Sequence, residues 1–121
     1  MSDATDPIWL IDEIELLPDV ADDFFSAFDA RYLPGARERG MELVHRWITP
    51  PEPPPGVGPT VILVWQLAGV PGFWRMRSQN GAPEIGDWWR EAERYCVRRT
   101  RRFAVAADAR AGFAAAGRVH R

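Results

Sequence analysis

The pattern of apolar and polar residues is clearest over residues 60–67, where eight consecutive positions are rich in β-branched and aromatic side chains. Such a run, ended by Ala68 and Gly69, predicts a buried strand, because these side chains pack well on a pleated chain. Three further apolar runs fit strands by their two-residue period: residues 8–17, 41–48 and 97–104. In the first of them, both faces are largely apolar.

Helical spacing separates these strands. After Pro18, Asp19 is placed to cap a helix whose apolar stripe repeats every fourth residue: Val20, Phe24, Phe28 and Tyr32. An aromatic stripe of this kind is more often core than ligand wall. A second helical stretch covers residues 70–95, and Asn80-Gly81-Ala82-Pro83 breaks it in two, with Asp87 as the predicted cap of the second part.

The order of these elements is β-α-β-β-α-β. Right-handed crossovers then give an α+β, ferredoxin-like domain with an antiparallel sheet in the order 4-1-3-2 and both helices on one face. The other face would carry apolar side chains such as Ile62 and Val64, which are unsuited to water. An identical subunit is the simplest cover, so we expect a homodimer formed through the sheet faces.

Composition narrows the class of protein. The 121 residues fit one domain over 1–104 with an alanine-rich tail over 105–121, and the net charge of −2 gives no general attraction to nucleic acid or membranes. The single cysteine, Cys96, excludes an internal disulfide. No apolar run reaches the ~18 residues of a membrane span, and the acidic start is unlike a signal peptide. These features predict a cytoplasmic protein.

The strand over residues 61–67, the helix containing Arg75 and Arg77, and the pair Trp88-Trp89 together resemble the NIPSNAP-like proteins of the dimeric α/β-barrel superfamily. The resemblance implies a two-subunit α/β barrel. Its function is open, since the superfamily includes cofactor-free oxygenases, haem-degrading enzymes, isomerases, cyclases and proteins of no known activity. The haem-degrading members carry their iron ligand on the second crossover helix. Haem degradation is disfavoured here because the corresponding residues, 70–96, contain no histidine. We expect no cofactor.

Candidate chemistry centres on His45, which alternation places on one strand face with Leu43 and Trp47. If that face meets the helices, His45 lies near Tyr32 and Trp65 and is a candidate general acid or base in an apolar cavity. Asn80, the only asparagine, is the candidate for cofactor-free oxygenation. The predicted catalytic residues are thus His45, Tyr32 and Asn80, and the predicted substrate-binding residues are Phe24, Phe28, Trp47, Trp65, Trp74, Trp88 and Arg75.

Two other kinds of site are disfavoured. With His45 and His120 as the only histidines, a two-histidine metal site is not expected. The arginines of residues 94–102 suggest a nucleic-acid surface, but residues 61–67 lack the basic-glycine-aromatic motif that RNA-recognition domains carry on their third strand. The arginines also have partners in Asp12, Glu13 and Glu15 of the first strand. Two functions therefore remain: an enzyme acting on a hydrophobic aromatic or polycyclic substrate by acid-base chemistry or cofactor-free oxygenation, and a non-catalytic dimer that holds an apolar ligand or stabilises a partner.

Overall fold

The computed structural model describes residues 6–79 and 81–112. Four strands and four helices follow one another along the chain: β1 (Ile8–Leu16), α1 (Ala21–Arg31), α2 (Leu33–Glu38), β2 (Glu42–Thr49), β3 (Thr60–Leu67), α3 (Gly69–Gln79), α4 (Pro83–Ala92) and β4 (Cys96–Val105). A short 3-10 turn, Ala107–Ala109, follows β4. The predicted tail, residues 105–121, lies partly outside the described residues, and His120 lies outside them.

The four strands form one antiparallel sheet in the order β2-β3-β1-β4. This confirms the predicted 4-1-3-2 arrangement and the ferredoxin-like class. β1 lies between β3 and β4, and six of its nine residues are apolar. The longest apolar run of the chain, β3, lies between β1 and β2.

The two faces of the sheet differ sharply in burial. On the face covered by helices, alternate residues of β1 and β3 are fully buried: Ile8, Leu10, Asp12, Ile14, Leu16, Val61, Leu63, Trp65 and Leu67. On the other face, which we call the open face, the residues between them are only partly buried. It carries Trp9, Ile11, Ile62 and Val64 at its centre, as expected from the sequence.

A bulge interrupts the pairing of β2 with β3. Leu43 pairs with Trp65 but His45 pairs with Val64, so Val44 has no partner on β3. A one-residue insertion of this kind reverses the alternation of the strand that follows it. Leu43 therefore faces the helices, whereas His45 and Trp47 lie on the open face.

Aromatic side chains fill the space between helices and sheet. The aromatic core consists of Phe24, Phe28, Tyr32, Trp65 and Trp88, each at most 3% exposed, with neighbouring ring centroids 5.5–6.3 Å apart. Burying such rings contributes a large share of the hydrophobic stabilisation of a small domain. The predicted stripe on the first helix is thus confirmed as core.

Two predicted helix starts are wrong. Asp19 does not cap α1: it has a left-handed backbone with φ of 64°, and Val20 occupies the cap position. α4 begins at Pro83 and not after Asp87, because proline is well suited to the first turn of a helix and its preceding residue, Ala82, is extended. Among the described helices, none has the length and apolar character needed to cross a bilayer.

Candidate functional site

A buried carboxylate stands at the centre of the helix-covered face. Asp12 is fully buried, between Leu10 and Ile14 on β1. Its Oδ2 accepts hydrogen bonds from Trp65 Nε1 at 2.9 Å and from Arg101 Nη2 at 2.9 Å, and its Oδ1 accepts one from Arg101 Nε at 2.6 Å. Arg101 is directly opposite Asp12 on β4, so the strand register brings the two charges together. A carboxylate held this way satisfies the requirement that a buried charge be paired.

Tyr32 joins this pair from the helix layer. Its hydroxyl accepts a hydrogen bond from Arg101 Nη2 at 3.2 Å, while its ring packs on Phe28 and Trp65. The position of Tyr32 at the junction of α1 and α2 points its ring toward the sheet. Asp12, Trp65, Arg101 and Tyr32 thus form one hydrogen-bonded group, which we call the Asp12 network.

The charge state of Arg101 is fixed by this network. Burial by itself would lower the pKa of Arg101, but the hydrogen bonds and negative charge of Asp12, together with Tyr32, outweigh it and raise that pKa above its ordinary value. Arg101 is therefore a permanent cation. Among the described residues, its remaining amino group, Nη1, has no hydrogen-bond acceptor.

Arg101 also reaches a cleft of about 360 Å³ between α3 and the β4 edge of the sheet. We call it the apolar cleft; it is lined by Leu10, Phe73, Met76, Arg77, Arg101, Arg102 and Phe103. Leu10, Phe73 and Met76 are buried, and Phe103 is 49% exposed with its ring 4.9 Å from that of Phe73. The cleft combines apolar walls with guanidinium groups, the usual make-up of a small-molecule site.

A second arginine of β4 behaves differently. The Arg99 guanidinium lies 3.7 Å from the centre of the Trp89 ring, and no described carboxylate forms an ion pair with it. Burial, followed by the charge of Arg101, lowers the pKa of Arg99.

Nearby, burial raises the pKa of the Cys96 thiol, and the charge of Arg99 opposes this only in part. Cys96 therefore stays protonated at neutral pH, unlike a nucleophilic cysteine.

The structure separates the residues that the sequence placed in one cavity. Phe24, Phe28, Trp65 and Trp88 belong to the aromatic core and line none of the clefts described here. Tyr32 is with them, 3% exposed, and contacts the Asp12 network through its hydroxyl. Their rings fill the predicted cavity, which explains why the space between sheet and helices is packed there.

The predicted placement of His45 on one strand face with Leu43 is wrong, so the condition for its lying near Tyr32 and Trp65 is not met. The β2 bulge turns His45 to the open face, where it is exposed and stacks on Trp47 with ring centroids 4.6 Å apart. Trp47, 51% exposed, lies on the same face. Neither residue is close to the Asp12 network, because the sheet lies between them.

The other predicted residues are on or near α3. Arg75 is exposed and its Nη2 donates to the carbonyl oxygen of Glu38 at 3.3 Å, away from the apolar cleft. Trp74 is half-buried beside Phe73, with ring centroids 5.3 Å apart. Asn80 lies outside the described residues. Among the described residues, no group of three potential ligands could hold a metal ion.

Sequence reasoning missed the role of Asp12 and Arg101 as a buried pair. Asp12 was expected to pair with β4, and it does, but as an interior group and not as a surface charge. Its position between Leu10 and Ile14 on an apolar face was the available signal. Glu13 and Glu15, the other two acids expected to have partners on β4, pair with Arg102 at 3.0 Å and with Arg98 at 2.8 Å on the open face.

Comparison with known proteins bears on the fold. No known family profile and no curated protein matches the chain. Among solved structures, a NIPSNAP-like domain protein from Burkholderia xenovorans is similar with a TM-score of 0.65 and 18% identity, over 84% of this chain and 85% of that one. A NIPSNAP family protein of unknown function from Agrobacterium tumefaciens has a TM-score of 0.67 and 8% identity, over 88% and 93% of the chains. The predicted resemblance to NIPSNAP-like proteins is thus confirmed for the fold.

Proposed function

We propose that this protein, built on the fold found in NIPSNAP proteins, is a homodimer that binds a small hydrophobic molecule with an acidic group in the apolar cleft. The observation that carries the proposal is the position of Arg101. It is locked in place by Asp12 and Tyr32 at the wall of a cleft lined by four apolar residues and three arginines, with Nη1 left for a ligand. The expected ligand class is an aromatic or polycyclic acid.

The walls of the cleft support this ligand class. Leu10, Phe73 and Met76 offer apolar surface, and an aromatic ligand could stack beside Phe103. Arg77 lies over the rings of Phe73 and Trp74, at 5.8 and 5.9 Å, and among the described residues it has no ion-pair partner. A carboxylate between Arg77 and Arg101 would thus contact two guanidinium groups. That of Arg77 has no ion-pair partner among the described residues, and that of Arg101 is already held in place.

The homodimer rests on the open face. Trp47 and the partly buried Trp9, Ile11, Ile62 and Val64 form an apolar sheet surface that none of the described helices covers. A contiguous apolar surface of this kind is typical of a protein interface. In such a dimer the sheets of two subunits would pack face to face, leaving both apolar clefts outside the interface. A cytoplasmic location remains our prediction from the sequence.

An enzyme is the second candidate, and one observation favours it. The Tyr32 hydroxyl accepts a hydrogen bond from Arg101, so its own proton could be donated to a ligand atom that reaches it beside the guanidinium, with Arg101 staying charged throughout. Tyr32→Phe keeps the ring and the packing. If the protein is an acid-base enzyme, this variant should lose about a hundredfold in turnover, a much larger loss than its loss of ligand affinity. His45 would take part in catalysis only if dimerisation brings it near the active site. Cofactor-free oxygenation would instead depend on Asn80.

Calorimetric titration with 2-naphthoate and with the neutral 2-naphthalenemethanol tests the binding proposal. We expect the acid to bind at least about tenfold more tightly than the alcohol, because a hydrogen-bonded charge contributes roughly 1.5–3 kcal/mol. Arg77→Gln should remove most of that difference. Arg75→Gln, on the same helix but outside the cleft, is the matched control and should leave both affinities unchanged.

Equal affinity for the acid and the alcohol would contradict an anion-selecting cleft. An equal loss in the Arg75 and Arg77 variants would instead indicate a general effect of positive charge, and would also rule out the proposed site.

A further inference from the structure

The side chain of Arg39 is a buried cation without a counter-charge. Arg39 is 8% exposed, and its Nε has no hydrogen-bond partner. Its Nη2 contacts only the sulfur of Met41, at 3.9 Å, and its guanidinium lies 5.3 Å from the centre of the Tyr32 ring. Among the described residues, no carboxylate forms an ion pair with it. A buried charge in such surroundings is unfavourable unless something pairs with it.

Hydrogen bonds define the backbone around Arg39, and a glycine makes room for its side chain. Gly40, with φ of 85°, ends α2, and the amide of Met41 donates to the carbonyl of Ala36 in the manner of a Schellman motif. Gly35 lets the guanidinium pack against α2, since a Cβ there would lie 3.2 Å from Nη1. The C-terminal end of α2 thus holds the Arg39 guanidinium in apolar surroundings.

Arg39 lines a second cleft, of about 560 Å³, between α2 and the ends of α3 and α4. We call it the polar cleft. Its other lining side chains include Glu38, Ser78, Gln79 and Glu84. Both glutamates are exposed, and among the described residues neither takes part in an ion pair. The cleft therefore has a buried positive group and two negative groups toward solvent.

From this arrangement we propose that the polar cleft is a binding site for a small zwitterion, separate from the apolar cleft. Its carboxylate would pair with the Arg39 guanidinium, whose planar fork suits a carboxylate. Its ammonium group would lie toward Glu38 and Glu84. The same two acids disfavour phosphate, because a dianion would be repelled by them.

A matched series of four probes tests the charge pattern in the full chain by NMR titration: 4-aminobutyrate, butyrate, butylamine and inorganic phosphate. We expect 4-aminobutyrate to bind most tightly and to shift the Arg39 Nε–H signal. The double variant Glu38→Gln and Glu84→Gln should weaken 4-aminobutyrate several-fold and should not weaken butyrate, which loses two repelling charges. Phosphate binding as tightly as 4-aminobutyrate, or no shift of Arg39 with any probe, would overturn the proposal.

Arg39→Met removes the charge and keeps an apolar side chain of similar length. We expect affinity for 4-aminobutyrate to fall at least about tenfold and the melting temperature without ligand to stay the same or rise, because an unpaired buried charge is lost. Arg37→Met, on the exposed side of α2, is the control and should change neither. Unchanged affinity for 4-aminobutyrate in Arg39→Met would refute the site. A lower melting temperature in the Glu38 and Glu84 double variant would also refute it, because it would show that these two acids already neutralise Arg39. The Arg39 Nε–H signal of the unaltered protein decides the matter if Arg39→Met does not fold.

Discussion

At the scale of single residues, the surroundings of an arginine determine what it does here. Arg101 is paired within the interior, Arg102 pairs with Glu13 at the surface, and Arg99 stacks on Trp89. All three are on β4, where alternation sends Arg99 and Arg101 toward the helices and Arg102 to the open face. Exposed ion pairs contribute little to stability, whereas breaking a buried pair leaves a charge without compensation.

Substitution of Arg101 by Met should therefore destabilise the protein strongly. Asp12, fully buried, would keep only the Trp65 hydrogen bond, so we expect the free energy of unfolding to fall by on the order of 3 kcal/mol. Arg102→Met is the matched control in the same strand, and should cost less than about 1 kcal/mol. Urea unfolding followed by tryptophan fluorescence measures both.

Similar losses in the two variants would mean that the Asp12–Arg101 pair is as weak as a surface pair. The sequence did place Asp12 opposite the arginines of β4. It did not show that Arg99 would have no acid partner, because the choice between a carboxylate and the Trp89 ring depends on where α4 packs.

At the scale of elements, strands were easier to predict than helix ends. The bounds of β3 agree with the sequence prediction, since five of its eight side chains are β-branched or aromatic and Ala68-Gly69 follows. The helices differ because their ends depend on local backbone geometry. Asp19 has the composition of a cap but a left-handed backbone, and the aromatic residue Tyr32 separates α1 from α2.

The candidate site was predicted less well than the fold for the same physical reason. The position of His45 followed from strict alternation through Met41, Leu43 and Trp47, and a bulge leaves no mark in a pattern of apolar and polar residues. Arg39 gave no signal either, because its burial depends on the turn after α2 and on the packing of Tyr32. Tyr32 itself was found, since the four-residue spacing fixes the face of a helix.

At the scale of the whole molecule, the open face predicts self-association. Light scattering at micromolar concentration should give about twice the chain mass of 13.7 kDa. Trp47→Arg places a charge among the apolar residues of the face and should shift the protein to monomer. Val57→Arg, in the loop before β3, is the control: Val57 is 48% exposed, close to the 51% of Trp47, but lies off the sheet.

A monomer in the unaltered protein at those concentrations would exclude the dimer. A dimer unaffected by Trp47→Arg would place the interface on another surface.

The bulge at Val44 has an evolutionary consequence. One unpaired residue decides which side of the sheet the rest of β2 faces. The gain or loss of a single codon there, without any substitution, could therefore move His45 and Trp47 from one side to the other. They would then lie either in the protein interior or on the surface that a partner contacts. Chains that share this fold at low identity can therefore carry the same residues in the same order and use them for different purposes. Comparing this position by sequence alignment alone, without counting the residue that the sheet leaves unpaired, would assign the histidine to the wrong side.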